Sequence, residues 1–202
     1  MDEREQGRRD AILGAAAGVF FERGFEAATT AEIARRAKTS KRALYELFAS
    51  KEGMLAALIR DSSRQMAAPL ELPEPRTTGE LLGVLKEFGR QLLTQLFDAG
   101  RVAMYRLALA EVQRSGQVAR EIDEQGRRPV SQAMTEMMSR AVANGLLAER
   151  DIPIVLETFF GVLTGDEHIR LLLGVIETPT PERIEERVRF AVEATRRVLA
   201  AG

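Results

Sequence analysis

The sequence predicts an all-α protein. Three observations carry that expectation. Apolar residues recur at three- and four-residue spacing through most of the chain. β-branched runs with two-residue alternation are missing. Prolines, seven in 202 residues, stand at junctions between the periodic stretches.

Taken in order, Ile12, Ala15, Ala16, Val19 and Phe20 predict a first helix from about Arg4 to Glu22, with Gly24 as its stop. Thr29-Thr30-Ala31-Glu32 matches a capping box, and a short second helix follows, from about Ala31 to Ala37, with Ile33, Ala34 and Ala37 on one face. Lys38-Thr39-Ser40 reads as a turn. Ser40 is placed to cap a third helix, Lys41 to about Phe48, whose Leu44, Leu47 and Phe48 point inward. Ser50 caps the next helix, with Met54, Leu55, Leu58 and Ile59 as its stripe.

Pro69, Pro73 and Pro75 mark a loop over 68–78, and Thr77 with Glu80 opens a helix to about Phe97. Gly100 is expected to separate that helix from one carrying Val102, Tyr105, Leu109 and Val112. Gly116 breaks the chain again, and a longer helical stretch follows with a kink at Pro129 and an end at Asn144-Gly145. Asp151 is expected to cap a single helix from Ile152 to about Gly174. Its part from Ile154 to Leu163 is apolar on nearly all sides, which calls for cover on all sides. Thr180 and Pro181 open the last helix, with Ile184, Val188, Ala191 and Val198 inward and Phe190 off that stripe.

Composition narrows the function classes. Apolar residues make up 45% and charged residues 29%, the balance of a globular protein. No apolar run is long enough for a membrane span, and the charged start Met1-Asp2-Glu3-Arg4-Glu5 does not read as a secretory signal. With no cysteine and one histidine, thiol chemistry and multi-histidine metal sites are excluded, and no cofactor is called for. No nucleophile-base set or glycine-rich phosphate loop occurs in the right context, so the chain reads as no enzyme. Net charge is −1, but from Arg35 to Lys51 there are six cations (Arg35, Arg36, Lys38, Lys41, Arg42, Lys51) and one anion, Glu46. Such a patch either neutralises phosphates or is a solvated helix face.

The stretch Gly24–Lys51 resolves this choice: two short helices, a tight turn and a first helix to pack across them have the layout of a helix-turn-helix module. Gly24-Phe25, Thr29-Thr30, Ile33-Ala34, Ala37, Ser40-Lys41, Leu44-Tyr45, Phe48 and Ser50-Lys51-Glu52 resemble the signature of TetR-family regulators over about residues 8–55. Two positions depart from it. Lys38 stands where the family commonly has glycine, and Arg42 where it often has a small residue.

The resemblance implies a nine-helix, all-α homodimer. Its last two helices pair with those of a second copy, and its middle helices enclose a ligand pocket. It implies a cytoplasmic, sequence-specific DNA-binding transcription regulator, in most cases a repressor, that binds a palindromic double-stranded operator and is released by a small apolar or amphipathic effector. It divides the chain into a helix-turn-helix head at 1–50 and an effector-binding and dimerisation body at 51–202. A helical interaction or ligand-binding module without DNA binding is the alternative, opposed by the intact set Thr30, Lys41, Tyr45 and Lys51.

The resemblance places Thr30, Tyr45 and Lys51 on the DNA backbone. Lys41 and Arg42 are candidates for base edges, Lys41 equally for phosphate, and Thr39 is exposed beside them. Phe88, Leu92, Met104, Tyr105, Met134, Met138 and Phe159 are pocket candidates against plain core packing. Phe160, His168 and Phe190 are candidates for the dimer interface. For His168 a ligand contact and simple exposure stay open, with the dimer contact ranked first.

Overall fold

The computed structural model describes residues 3–70, 74–113 and 116–201. These residues form helices and turns with no strand among them. The elements are α1 (Glu3–Arg23), α2 (Thr30–Arg36), α3 (Lys41–Phe48), α4 (Lys51–Ala67), a 3-10 turn at Ala68–Leu70, α5 (Thr78–Leu96), α6 (Ala99–Glu111), α7 (Gln117–Glu121), a π turn at Ile122–Arg127, α8 (Arg128–Ala143), α9 (Ile152–Thr164), α10 (Glu167–Leu172) and α11 (Pro181–Ala201). The described residues thus hold eleven α-helical segments, with α7 running into α8 through the π turn.

Packing divides the chain into two compact units, Met1–Ser63 with Ala103–Arg128, and Arg64–Val102 with Pro129–Gly202. The first unit is built round one core. Ile12, Ala16, Val19 and Phe20 of α1 meet Phe25, Ile33, Leu44, Phe48, Met54 and Leu55, all buried. Phe20 and Phe25 lie 5.2 Å apart, tilted by 59°, an arrangement aromatic pairs favour. Burial of the inner face is what holds α2 and α3, since helices of 7 and 8 residues are unstable alone.

In the second unit α11 packs on α9 and α5. Phe88, Leu92, Met134, Met138, Phe159 and Leu163 are buried in this unit, as are Val188 and Ala191 of α11. Phe88, Phe159 and Phe160 form a triangle of rings with centroids 5.4–6.2 Å apart.

Three expectations are corrected. Gly100 does not separate two helices, because α6 already begins at Ala99. The break falls at Asp98, whose carboxylate accepts the Arg101 N–H at 3.1 Å and so starts the new helix. The single helix from Ile152 to Gly174 is two, α9 and α10, interrupted at Gly165. Gly165 has φ 48, and a Cβ there would lie 2.1 Å from Arg187 Nη2. The Arg187 guanidinium occupies that space, donating to the carbonyls of Val162 and Leu163. A cation at a helix C-terminus meets unpaired carbonyls and the negative end of the dipole. Asp151, in turn, stands at the N-cap of α9 but makes no side-chain cap bond.

Where a kink was expected at Pro129, α8 runs through the proline and a π turn stands just before it. A proline has no N–H to give the carbonyl four residues back, so the preceding turn widens. Pro73 lies outside the described residues.

The unbroken apolar face of α9 is only partly covered within the chain. Val155, Phe159 and Leu163 are buried, whereas Ile154 is 50% exposed. Phe190 is 63% and Leu173 73% exposed. No described helix is long and apolar enough to cross a membrane.

Candidate nucleic-acid interface

The turn between α2 and α3 is closed by backbone alone. Thr39 N–H donates to Ala34 O at 3.0 Å and Lys38 N–H to Arg35 O at 3.3 Å. This pair of bonds is the Schellman arrangement, whose middle residue takes left-handed backbone. Lys38 does so, at φ 50. A lysine therefore adopts the glycine conformation, at the cost of Cβ crowding, and sets an exposed cation at the tip of the turn. Thr29 Oγ1 accepts the Glu32 N–H at 3.2 Å and Ser40 Oγ the Ala43 N–H at 3.1 Å, so both helices carry side-chain caps.

On α3, Leu44 is 0% and Phe48 8% exposed, while Tyr45 is 47% exposed on the opposite face. Lys41 and Arg42 are exposed at the N-terminal end of that face, and Thr39 is half-buried just before it. Thr30 Oγ1 and Tyr45 Oη lie 3.2 Å apart. Two hydroxyls from different helices thus converge beside the N-terminus of α2, where N–H groups and dipole favour an anion.

The cations do not all stand free. Arg36 donates to both carboxylate oxygens of Glu22, at 2.6 Å for the Nη1–Oε1 bond, and its Nε to Glu32 at 2.9 Å. Arg35 is bidentate to Glu32 at 2.8 and 3.0 Å. Arg42 pairs with Glu46 at 2.8 Å, at 89% side-chain exposure, an easily broken contact. Lys38 and Lys41 have no ion pair among the described residues. The basic patch counted along the sequence thus narrows in space to Lys38, Lys41 and Arg42, because Glu22 and Glu32 lie outside the stretch that was counted.

Lys51 has a different setting from the one its position suggests. Its ammonium donates to Phe25 O at 2.7 Å and Glu26 O at 3.3 Å, and lies 4.4 Å from the Phe25 ring centroid. Two carbonyls and a ring face stabilise the cation at the start of α4 without a phosphate. It ties α4 to the α1–α2 loop.

Sequence reasoning also missed Arg9 and Asp61. They form a bidentate pair at 2.7 and 3.0 Å between α1 and α4. Fifty-two residues separate them, and no local pattern joins them.

The pocket candidates fall in both units. Phe88, Leu92, Met134, Met138 and Phe159 are buried in the second, whereas Met104 packs against the core of the first and Tyr105 is half-buried there. His168 is half-buried on α10, and burial lowers its pKa. Its neighbour Glu167 is buried and accepts Arg183 Nε at 2.8 Å, joining α10 to α11.

Fold and site together define a helix-turn-helix DNA-binding module carried on a helical body. Residues 12–58 match the family model for bacterial regulatory proteins of the tetR family. Residues 83–198 match the C-terminal domain of AefR-like transcriptional repressors. The chain belongs to the TetR family of DNA-binding transcriptional regulators and is not an enzyme.

The HTH-type transcriptional regulator YdeS of Bacillus subtilis is 28% identical over 177 residues, 81% of this chain and 83% of YdeS. A TetR transcriptional regulator from Agrobacterium tumefaciens superposes with TM-score 0.75 at 29% identity, over 93% of this chain and 92% of its own. The flavonoid-responsive regulator FrrA superposes with TM-score 0.70 at 27% identity, over 94% and 95%.

Glu32 gives a pH test of the head. Hydrogen bonds from Arg35 and then Arg36 lower its pKa from 4.5 to about 2. A depressed carboxylate stabilises the fold above its unfolded value and loses that contribution as pH falls through the folded one. In urea unfolding, wild type should be more stable than Glu32→Gln at pH 7. That difference should shrink as pH falls from 4.5 towards 2.

Proposed function

We propose that this regulator is a repressor that binds an inverted-repeat operator as a homodimer and leaves it when a small apolar or amphipathic effector binds the body. The observation that carries the DNA-reading part is the division of α3. Leu44 and Phe48 are buried beneath it, and Lys41, Arg42 and Tyr45 are exposed above it. The functional division follows as a head at 1–50 and an effector-binding and dimerisation body at 51–202.

In this reading α3 enters the major groove. Thr30 and Tyr45, already 3.2 Å apart, hold one phosphate between them. Lys41 contacts phosphate or a base edge, Thr39 lies beside it, and Lys51 adds charge from the loop it anchors. Arg42 reaches a base edge after exchanging Glu46 for guanine O6 and N7. A protein acting on chromosomal DNA works in the cytoplasm.

Arg42→Ala should cost about 1–3 kcal/mol per half-site on the operator and relax preference at one base pair. Binding to operator and to a scrambled duplex at two salt concentrations checks this. An equal loss on both would make Arg42 a phosphate contact only.

Dimerisation through α9, α10 and α11 covers the apolar surface left open there, Ile154, Ile169, Leu173 and Phe190. Phe160 and His168 stand half-buried on the same helices. A two-fold axis makes such a face its own complement. Phe190→Glu should turn a dimer into a monomer in sedimentation at micromolar concentration, because it places a charge without a partner in an apolar contact.

The effector reading rests on the C-terminal domain type and on the likeness to a flavonoid-responsive protein. Within the second unit Phe88, Leu92, Met134, Met138 and Phe159 remain the candidates to line its site, with the methionines able to repack around an apolar ligand. Coupling between sites is reciprocal. Once an effector is found, its affinity should fall in the presence of operator by the factor by which it weakens operator binding. Calorimetric titrations with and without operator measure both.

A further inference from the structure

The corner joining α3 to α4 is tighter than a link between helices needs to be. Ala49 has φ 61 and ψ −39, backbone that residues with a side chain rarely adopt. Ser50 N–H donates back to Phe48 O at 2.6 Å across it, closing a γ-turn, a strained form when φ is positive. Ser50 Oγ then accepts the Gly53 N–H at 3.0 Å. Gly53 stands so close to the Phe48 carbonyl that a Cβ would lie 2.0 Å from its oxygen. Strained backbone persists only where its surroundings over-determine it.

Part of that surrounding grip comes from α1. Arg9 Nη1 and Nη2 donate to the two Asp61 oxygens of α4 at 2.7 and 3.0 Å. The Arg9 Cζ lies 6.0 Å from the centroid of the Phe48 ring, the last residue of α3. One guanidinium therefore touches both arms of the corner. Its side chain is 21% exposed and that of Asp61 32%, so solvent screens the pair only in part. A planar fork bonded at both tips fixes direction as well as distance.

We propose that Arg9, held by Asp61, is a positioning residue for operator recognition: it sets the angle between α3 and the first turns of α4. The proposal rests on reading α3 as the helix that enters the groove. Two other roles fit the same pair, a plain contribution to folding and a direct phosphate contact by Arg9, and charge separates them.

The test uses full-length protein and two duplexes, one enriched by the wild-type protein from a random-sequence pool and one scrambled from it. Asp61→Asn keeps the size of the side chain and removes its charge. Positioning predicts binding to the enriched duplex weaker by about fivefold or more, the lower end of ordinary coupling between sites. Binding to the scrambled duplex should not weaken. Arg9→Gln should weaken the enriched duplex likewise, and the double variant should be no worse than the single ones, as coupled residues behave.

A phosphate contact predicts the opposite sign. Asp61→Asn would then free a cation and tighten both duplexes. A purely structural pair predicts a lower thermal midpoint with unchanged affinity well below it. Either result overturns the proposal. A wild-type protein that enriches no duplex overturns the reading of α3 and this proposal with it. Enrichment with Asp61→Asn unaffected overturns this proposal alone.

Discussion

Burial of Leu44 and Phe48 is the constraint on which the reading surface depends. A helix of 8 residues gains too little from its own hydrogen bonds to persist. Its direction is therefore set by what its inner face packs against, Phe20, Phe25, Ile33 and Met54 among the buried residues of that core. The outer face takes no part in the core and leaves Lys41, Arg42 and Tyr45 exposed. The same logic makes the caps matter. Ser40 and Thr29 each satisfy one N–H that a helix this short cannot satisfy internally.

Charge in the head is sorted by use. Arg35 and Arg36 are consumed by Glu22 and Glu32, which fasten α2 to itself and to α1. Lys51 is consumed by two carbonyls and a ring. Of the cations from Arg35 to Lys51, those left facing outward are Lys38, Lys41 and an Arg42 whose partner is an exposed glutamate. A near-neutral protein can thus carry a local basic surface, because its net charge of −1 says nothing of how the charges are distributed. Lys38 shows the trade in one residue. It accepts left-handed backbone that glycine would take more easily, and it places a positive charge at the tip of the turn.

Local signals were legible in the sequence and non-local ones were not. Helix starts at Thr29, Ser40, Thr77 and Thr180 were readable because a cap and its N–H lie three residues apart. The inner faces of α3 and α11 were readable from their spacing. The break at Gly165 was missed because apolar residues resume at Ile169 beyond a short polar stretch, and the arginine that fills the gap comes from α11. The contacts of Lys51 within the fold were not legible for a similar reason. Its position at a helix start is visible in the sequence, whereas the Phe25 carbonyl beside it is brought there only by folding. Arg9 and Asp61 left no sequence trace at all.

Recognition also requires stiffness in the right place. Inside α4, a run of 17 residues, consecutive hydrogen bonds make bending costly, so an applied tilt is carried along the helix. The weak point of any such lever is the joint at its end, where a flexible link would absorb motion instead of passing it on. Here the joint is a γ-turn at Ala49 backed by a glycine pressed on the Phe48 carbonyl. A joint so tightly closed leaves little slack between the direction of α4 and that of α3. In the proposed reading a bidentate bond from Arg42 to a base depends on direction as much as on distance, so it tolerates little rotation.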